Sequence, residues 1–181
     1  MTKALLIVDI QNDYFPGGKM ELEGSEPASL RAGELLAAFR DRRLPVFHVQ
    51  HISVRPGASF FLPDTDGVNI HGNVAPVGQE AIIQKHFPNA FRDTRLLEQL
   101  RGAGVQELVI AGMMTHMCID ATTRAAADLG FPCFLAHDAC ATRAQSFGDT
   151  KVPAHHVHAS FLAALSGTYA TVRAAKDLAG L

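Results

Sequence analysis

No apolar run in this chain is long enough to cross a bilayer, and the N-terminal one, Ala4-Leu5-Leu6-Ile7-Val8, is too short for the core of a secretory leader. No Lys/Arg cluster forms a basic face and the net charge is −2, so a nucleic-acid partner or a membrane surface has no electrostatic support. Repeats and low-complexity segments are missing. Cysteine is scarce: three residues, Cys118, Cys133 and Cys140, an odd count without framework spacing. They are expected to be reduced thiols of a cytosolic protein, one of which is a candidate for reactivity. What remains is globular composition, 48% hydrophobic and 19% charged over 181 residues, which predicts a single domain spanning 1–181.

The pattern that is present alternates buried strand with amphipathic helix. Residues 4–10, 46–52, 107–113 and 132–137 are short runs rich in Val, Ile, Leu and Phe, suited to central strands buried on both faces. In 27–42 Ala32, Leu35, Leu36 and Phe39 fall on one helical stripe. Thr94 can cap a helix that carries Leu97 and Leu100 and ends at Gly102 or Gly104. Two more helices are predicted over 117–129 and 154–166. Such alternation predicts a doubly wound parallel sheet with helices on both faces, its strand C-terminal ends sharing one edge where ligands bind. The segment 53–81 fits neither period and is rich in Pro and Gly, which predicts a functional loop forming a pocket wall or lid.

Three polar signals fall on that edge. Asp9 closes the first strand; a lone Asp there is more often a cap than a catalyst. Cys118 follows a buried strand and a tight turn, where a helix is expected to open. Free N–H groups and the macrodipole would bias such a thiol toward thiolate and could hold an oxyanion. The plainer alternative, a small buried hydrophobe, fits Cys133 well and is favoured for Cys140. Lys85 ends the run Ala81-Ile82-Ile83-Gln84. Beside an apolar run a lysine usually snorkels to solvent, but beside a Cys/Asp pair it would stabilise both anions.

Taken together, these positions resemble the cysteine-hydrolase branch of the isochorismatase-like superfamily. The resemblance rests on Asp9-x-Gln11-Asn12-Asp13, on Lys85 followed by Ala90-Phe91, Thr94, Leu97 and Leu100, on Gly112-x-x-Thr115-x-x-Cys118, and on Asp138-Ala139. It implies the three-layer, Rossmann-like fold and an Asp9–Lys85–Cys118 triad. It also implies an oxyanion hole from the backbone N–H groups of Met114 and Cys118, and a cis peptide between Met113 and Met114. The activity implied is hydrolysis of a small-molecule amide-type C–N bond through a thioester, with no cofactor, in a homodimer or homotetramer.

Departures from the family bear on the substrate. Nicotinamide-hydrolysing members carry an Asp-x-His pair and further histidines that hold a divalent metal. Here the corresponding stretch is Val46-Phe47-His48-Val49-Gln50-His51, with Gln50 a poor ligand and His48 and His51 expected on opposite faces of a strand. His71 lies in the long loop, and His155, His156 and His158 suit a helix face, so no metal is expected. Phe15, Phe60 and Phe61 are candidates for an apolar pocket wall, against core packing as the alternative, and His116 for a substrate contact. Two rival readings stand beside the amidase: the vinyl-ether chemistry of isochorismatases, which lack the cysteine, and a catalytically idle binding or assembly domain.

Overall fold

The computed structural model describes residues 2–180. Six parallel strands form one sheet in the order β3-β2-β1-β4-β5-β8: β1 (Lys3–Val8), β2 (Val46–His51), β3 (Ala81–Lys85), β4 (Glu107–Met113), β5 (Cys133–Ala141) and β8 (Thr171–Arg173). The helices are α1 (Ser25–Asp41), α2 (Leu96–Gly102), α3 (Asp120–Asp128), α4 (Ala154–Leu165) and α5 (Ala175–Leu178). A small antiparallel hairpin, β6 (Gln145–Phe147) with β7 (Thr150–Val152), stands apart from the main sheet.

Strand alternation builds two cores, one on each face of the sheet. Leu5 and Ile7 of β1 with Val109, Ala111 and Met113 of β4 pack against the α1 stripe, where Ala32, Leu35, Leu36 and Phe39 are all buried. Leu6 and Val8 with Leu108 and Ile110 pack on the other face against Leu96 and Leu100 of α2 and Ala126 of α3. Ala4–Val8 of β1 and Leu108–Met113 of β4 are apolar and buried throughout, so the polar groups just beyond those two strands stand out.

Four of the strands match the apolar runs of the sequence, while β3 and β8 do not. β3 is an edge strand with a mixed burial pattern, and β8 is three residues long, too short to show a period. Thr94 lies just before α2: its hydroxyl donates to Ala90 O at 2.6 Å and accepts from the Leu96 N–H at 3.3 Å. At the end of β4, Gly112 has φ 137° and pairs with Val8; a Cβ there would lie 2.0 Å from Val8 O, so only glycine lets the strands pair at this point. The Met113–Met114 peptide is cis. The chain then makes a π-helical turn, Thr115–Ile119, closed by Ile119 N–H to Met114 O at 3.2 Å, before α3 begins.

Candidate active site

The sheet edge brings Asp9, Lys85 and Cys118 together from three strand ends. Asp9 follows β1 with φ 52°, Lys85 is the last residue of β3, and Cys118 lies in the π-helical turn after β4. All three are buried. Lys85 Nζ stands 2.7 Å from Asp9 Oδ2 and 3.2 Å from Cys118 Sγ; it also meets His51 Nδ1 at 3.0 Å and Phe87 O at 3.0 Å. An ammonium has three N–H bonds, and four acceptors surround this one. Lys85 and Asp9 thus form an ion pair wholly buried at the centre of the site.

The electrostatics differ from the expectation of a preformed thiolate. Burial and the Asp9 carboxylate both push the Cys118 thiol up, and together they outweigh the pull of Lys85. Cys118 also lies within a π-helical turn rather than at the first turn of α3, where the macrodipole argument would apply. The resting site therefore holds a neutral thiol beside one carboxylate–ammonium pair. Desolvation pulls Lys85 down, but with the Asp9 carboxylate as its largest support the amine is held above its ordinary value and stays charged. Burial and the neighbouring ammonium depress His51 to about 4, leaving its imidazole neutral.

The motif that opens the chain has a second task. Gln11 Nε2 donates to Val68 O at 2.8 Å, Asn12 Nδ2 donates to Asp66 O at 3.1 Å, and Asp13 Oδ2 accepts from the Phe61 N–H at 2.6 Å. All three fasten the 53–80 loop over the sheet edge. Loop and edge enclose a cavity of about 400 Å³ that reaches Cys118. Its walls include Phe60 and Phe61, together with Tyr14, Phe87, Met114 and Met117. The Tyr14 ring lies 4.6 Å from that of Phe61, and burial first of all raises its hydroxyl well above the ordinary value.

Two residues proposed from sequence as substrate contacts lie elsewhere. Phe15 stacks on His71 at 3.6 Å and borders a separate hollow of about 620 Å³, which contains none of Asp9, Lys85 or Cys118. His116 points the other way along its turn: its Nδ1 is 2.6 Å from Thr142 Oγ1 and its ring meets Phe161 edge-on. The π-helical turn rotates residue 116 away from the cavity that residues 114, 117 and 118 face. Tyr14 and His51 were not foreseen as part of this site. Tyr14 adjoins the Asp9–Asp13 motif, the one signal that could have marked it; His51 required knowledge of where β3 lies.

Asp9, His51 and Cys118 place three metal-ligating atoms within 4.8 Å of one another. Lys85 Nζ lies 2.7, 3.0 and 3.2 Å from these same groups, so an ammonium already fills the point a dication would occupy. The residues do not fit a metal there. His48 lies on the opposite side of β2 from His51, paired with Glu80 at 2.9 Å, and His71 is held against Phe15.

A six-strand parallel sheet with helices, carrying a buried thiol, carboxylate and amine at its C-terminal edge, defines the class as an α/β domain. Residues 3–172 match the isochorismatase domain model, and the chain belongs to the isochorismatase family of hydrolases. It is 54% identical over 173 residues to an uncharacterized isochorismatase family protein of Bacillus subtilis (strain 168), covering 96% of each chain. A crystal structure of a protein assigned to the isochorismatase hydrolases of Oleispira antarctica superposes with a TM-score of 0.96 at 51% identity, over 99% of this chain and 97% of that one. Streptothricin hydrolase of Streptomyces noursei is 37% identical over 140 residues, 77% of this chain and 50% of that protein.

Proposed function

We propose that this protein is a cysteine-dependent hydrolase of small-molecule, non-peptide amide bonds, with Cys118 as nucleophile, Asp9 as proton carrier and Lys85 as fixed cation. The observation that carries the reading is the placing of Lys85 Nζ 2.7 Å from Asp9 Oδ2 and 3.2 Å from Cys118 Sγ, with Cys118 on the wall of a cavity. A relative that hydrolyses streptothricin supports hydrolytic chemistry on a small molecule.

The mechanism follows from the charge balance. A thiol, a carboxylate and an ammonium carry no net charge, and moving the thiol proton to Asp9 leaves the net charge unchanged. Lys85 therefore faces one anion before and after the transfer, which a buried site can accommodate. The thiolate attacks the amide carbonyl carbon, and the backbone N–H groups of Met114 and Cys118 receive the oxyanion. Collapse expels the amine, which takes the proton from Asp9. Water then gives a proton to the same carboxylate as it attacks the thioester, and Cys118 recovers that proton as the acid departs.

Screening small primary amides and ureido compounds for ammonia release, with Cys118→Ala as control, tests the reading. Release that depends on Cys118 is expected. Turnover that survives Cys118→Ala would end the proposal.

A further inference from the structure

The wall of the Cys118 cavity has an uneven charge. Its sides are apolar and aromatic, with Tyr14, Phe60, Phe61 and Phe87 among them, and its only Asp, Glu, Lys or Arg is Arg55. Arg31, Arg40, Arg95 and Arg124 each meet a carboxylate at 2.9 Å or less. Arg55 has no such partner among the described residues, and it belongs to the loop that the Asp9–Asp13 motif fastens over the sheet edge. An exposed guanidinium bordering an aromatic cavity without a carboxylate in its wall is placed to meet an anion as it enters.

A second donor stands on the same wall. Lysine can only donate, so the 3.0 Å contact from Lys85 Nζ makes His51 Nδ1 the acceptor and puts the ring proton on Nε2. No described residue accepts from Nε2, and His51 borders the cavity. The triad cation therefore fixes the histidine as a neutral donor available to the ligand. The backbone around it is equally fixed, since Gln11 bonds both His51 N–H and His51 C=O.

Building on the amide-hydrolase reading, we propose that the substrate is a small cyclic or aromatic amide that bears a carboxylate remote from the scissile carbonyl. Arg55 reads the carboxylate, and His51 Nε2–H donates to an oxygen of the substrate between that group and Cys118. Aromatic walls hold a flat apolar body, and the absence of wall carboxylates removes any reward for a cationic substituent.

The test compares benzamide with 4-carbamoylbenzoate. Calorimetric titration of the Cys118→Ala protein measures binding without turnover, and ammonia release from the unsubstituted protein measures catalysis. The carboxylated amide is expected to bind about tenfold more tightly, one charge-assisted contact, with the preference shrinking as salt rises. Arg55→Met in the Cys118→Ala background should abolish the preference, and Arg55→Lys should keep part of it. Equal affinities, or a preference indifferent to Arg55→Met, would overturn the inference. The two readings fail separately: binding preference without ammonia release from either compound removes the amide-hydrolase reading and leaves the anion subsite standing. Ammonia release from both without any preference does the reverse.

Discussion

Gln11 grips the backbone of His51 from both sides, its Oε1 accepting from the His51 N–H at 2.8 Å and its Nε2 donating to His51 O at 2.9 Å. The amide is fully buried and spends its second N–H on Val68 O, so it joins the end of β2 to the long loop. Gln11→Ala takes its partner from the His51 N–H and the His51 carbonyl, at about 1–3 kcal/mol for each group left unsatisfied, while Val68 O keeps the Gln50 amide at 3.0 Å. A loss of about 2–4 kcal/mol in urea denaturation is therefore expected. Gln11→Glu should cost at least as much, because a carboxylate cannot donate to the two carbonyls.

Gly67 and Asp13 form a second fastening. A Cβ on Gly67 would fall 2.1 Å from Asp13 Oδ1, so the carboxylate has to leave the Phe61 N–H it holds at 2.6 Å. Gly67→Ala should loosen Phe60 and Phe61, which form the cavity wall, while leaving the triad in place. Steady-state kinetics should show KM rising about tenfold or more with kcat changed less. A fall confined to kcat would contradict this division of labour.

Acid should destabilise the fold in two stages, both away from the cavity. Arg40 holds Glu80 down to about 2, and burial holds His48 below its ordinary range despite its contact with Glu80. A depressed carboxylate stabilises the fold above its unfolded value, and that stability is lost as pH falls from about 4.5 toward 2. His48, buried neutral, adds stability that is whole above about 6.5 and declines as pH falls below it. Thermal denaturation against pH should show both losses. Glu80→Gln should remove the lower one, on the order of 2 kcal/mol after allowing for partial exposure.

Chelation should leave activity intact. The site that could hold a dication is filled by the Lys85 ammonium, at 2.7–3.2 Å from each of Asp9, His51 and Cys118. Dialysis against a strong chelator followed by the amide assay checks this. Lost turnover that zinc or manganese restores would contradict it.

The sequence showed the central strands because Leu5–Val8 and Leu108–Ala111 are buried on both faces and read as unbroken apolar runs. Asp9, Lys85 and Cys118 were each ambiguous alone, and only the family resemblance joined them, because the strand pairings that bring them together are not legible in one residue's surroundings. β3 escaped because an edge strand mixes exposed Ile82 and Gln84 with buried Ile83 and Lys85. His51 was legible as a histidine on the other face of β2 from His48, yet its role depends on Lys85, which is brought beside it by a pairing 34 residues away. The orientation of His116 could not be read at all, because apolar period does not distinguish a π-helical turn from the first turn of an α-helix.

The central claim is that Asp9 takes the Cys118 proton while Lys85 holds the charge, and peptide-mapped alkylation of Cys118 by iodoacetamide against pH tests it most directly. Asp9 raises the thiol and Lys85 lowers it. Asp9→Asn should therefore speed alkylation of Cys118 near neutral pH while cutting amide turnover by about 100-fold or more. Lys85→Met should slow alkylation, because the thiol then loses the cation that pulls it down. Alkylation of Cys118 that slows in Asp9→Asn, or that speeds in Lys85→Met, would contradict the account.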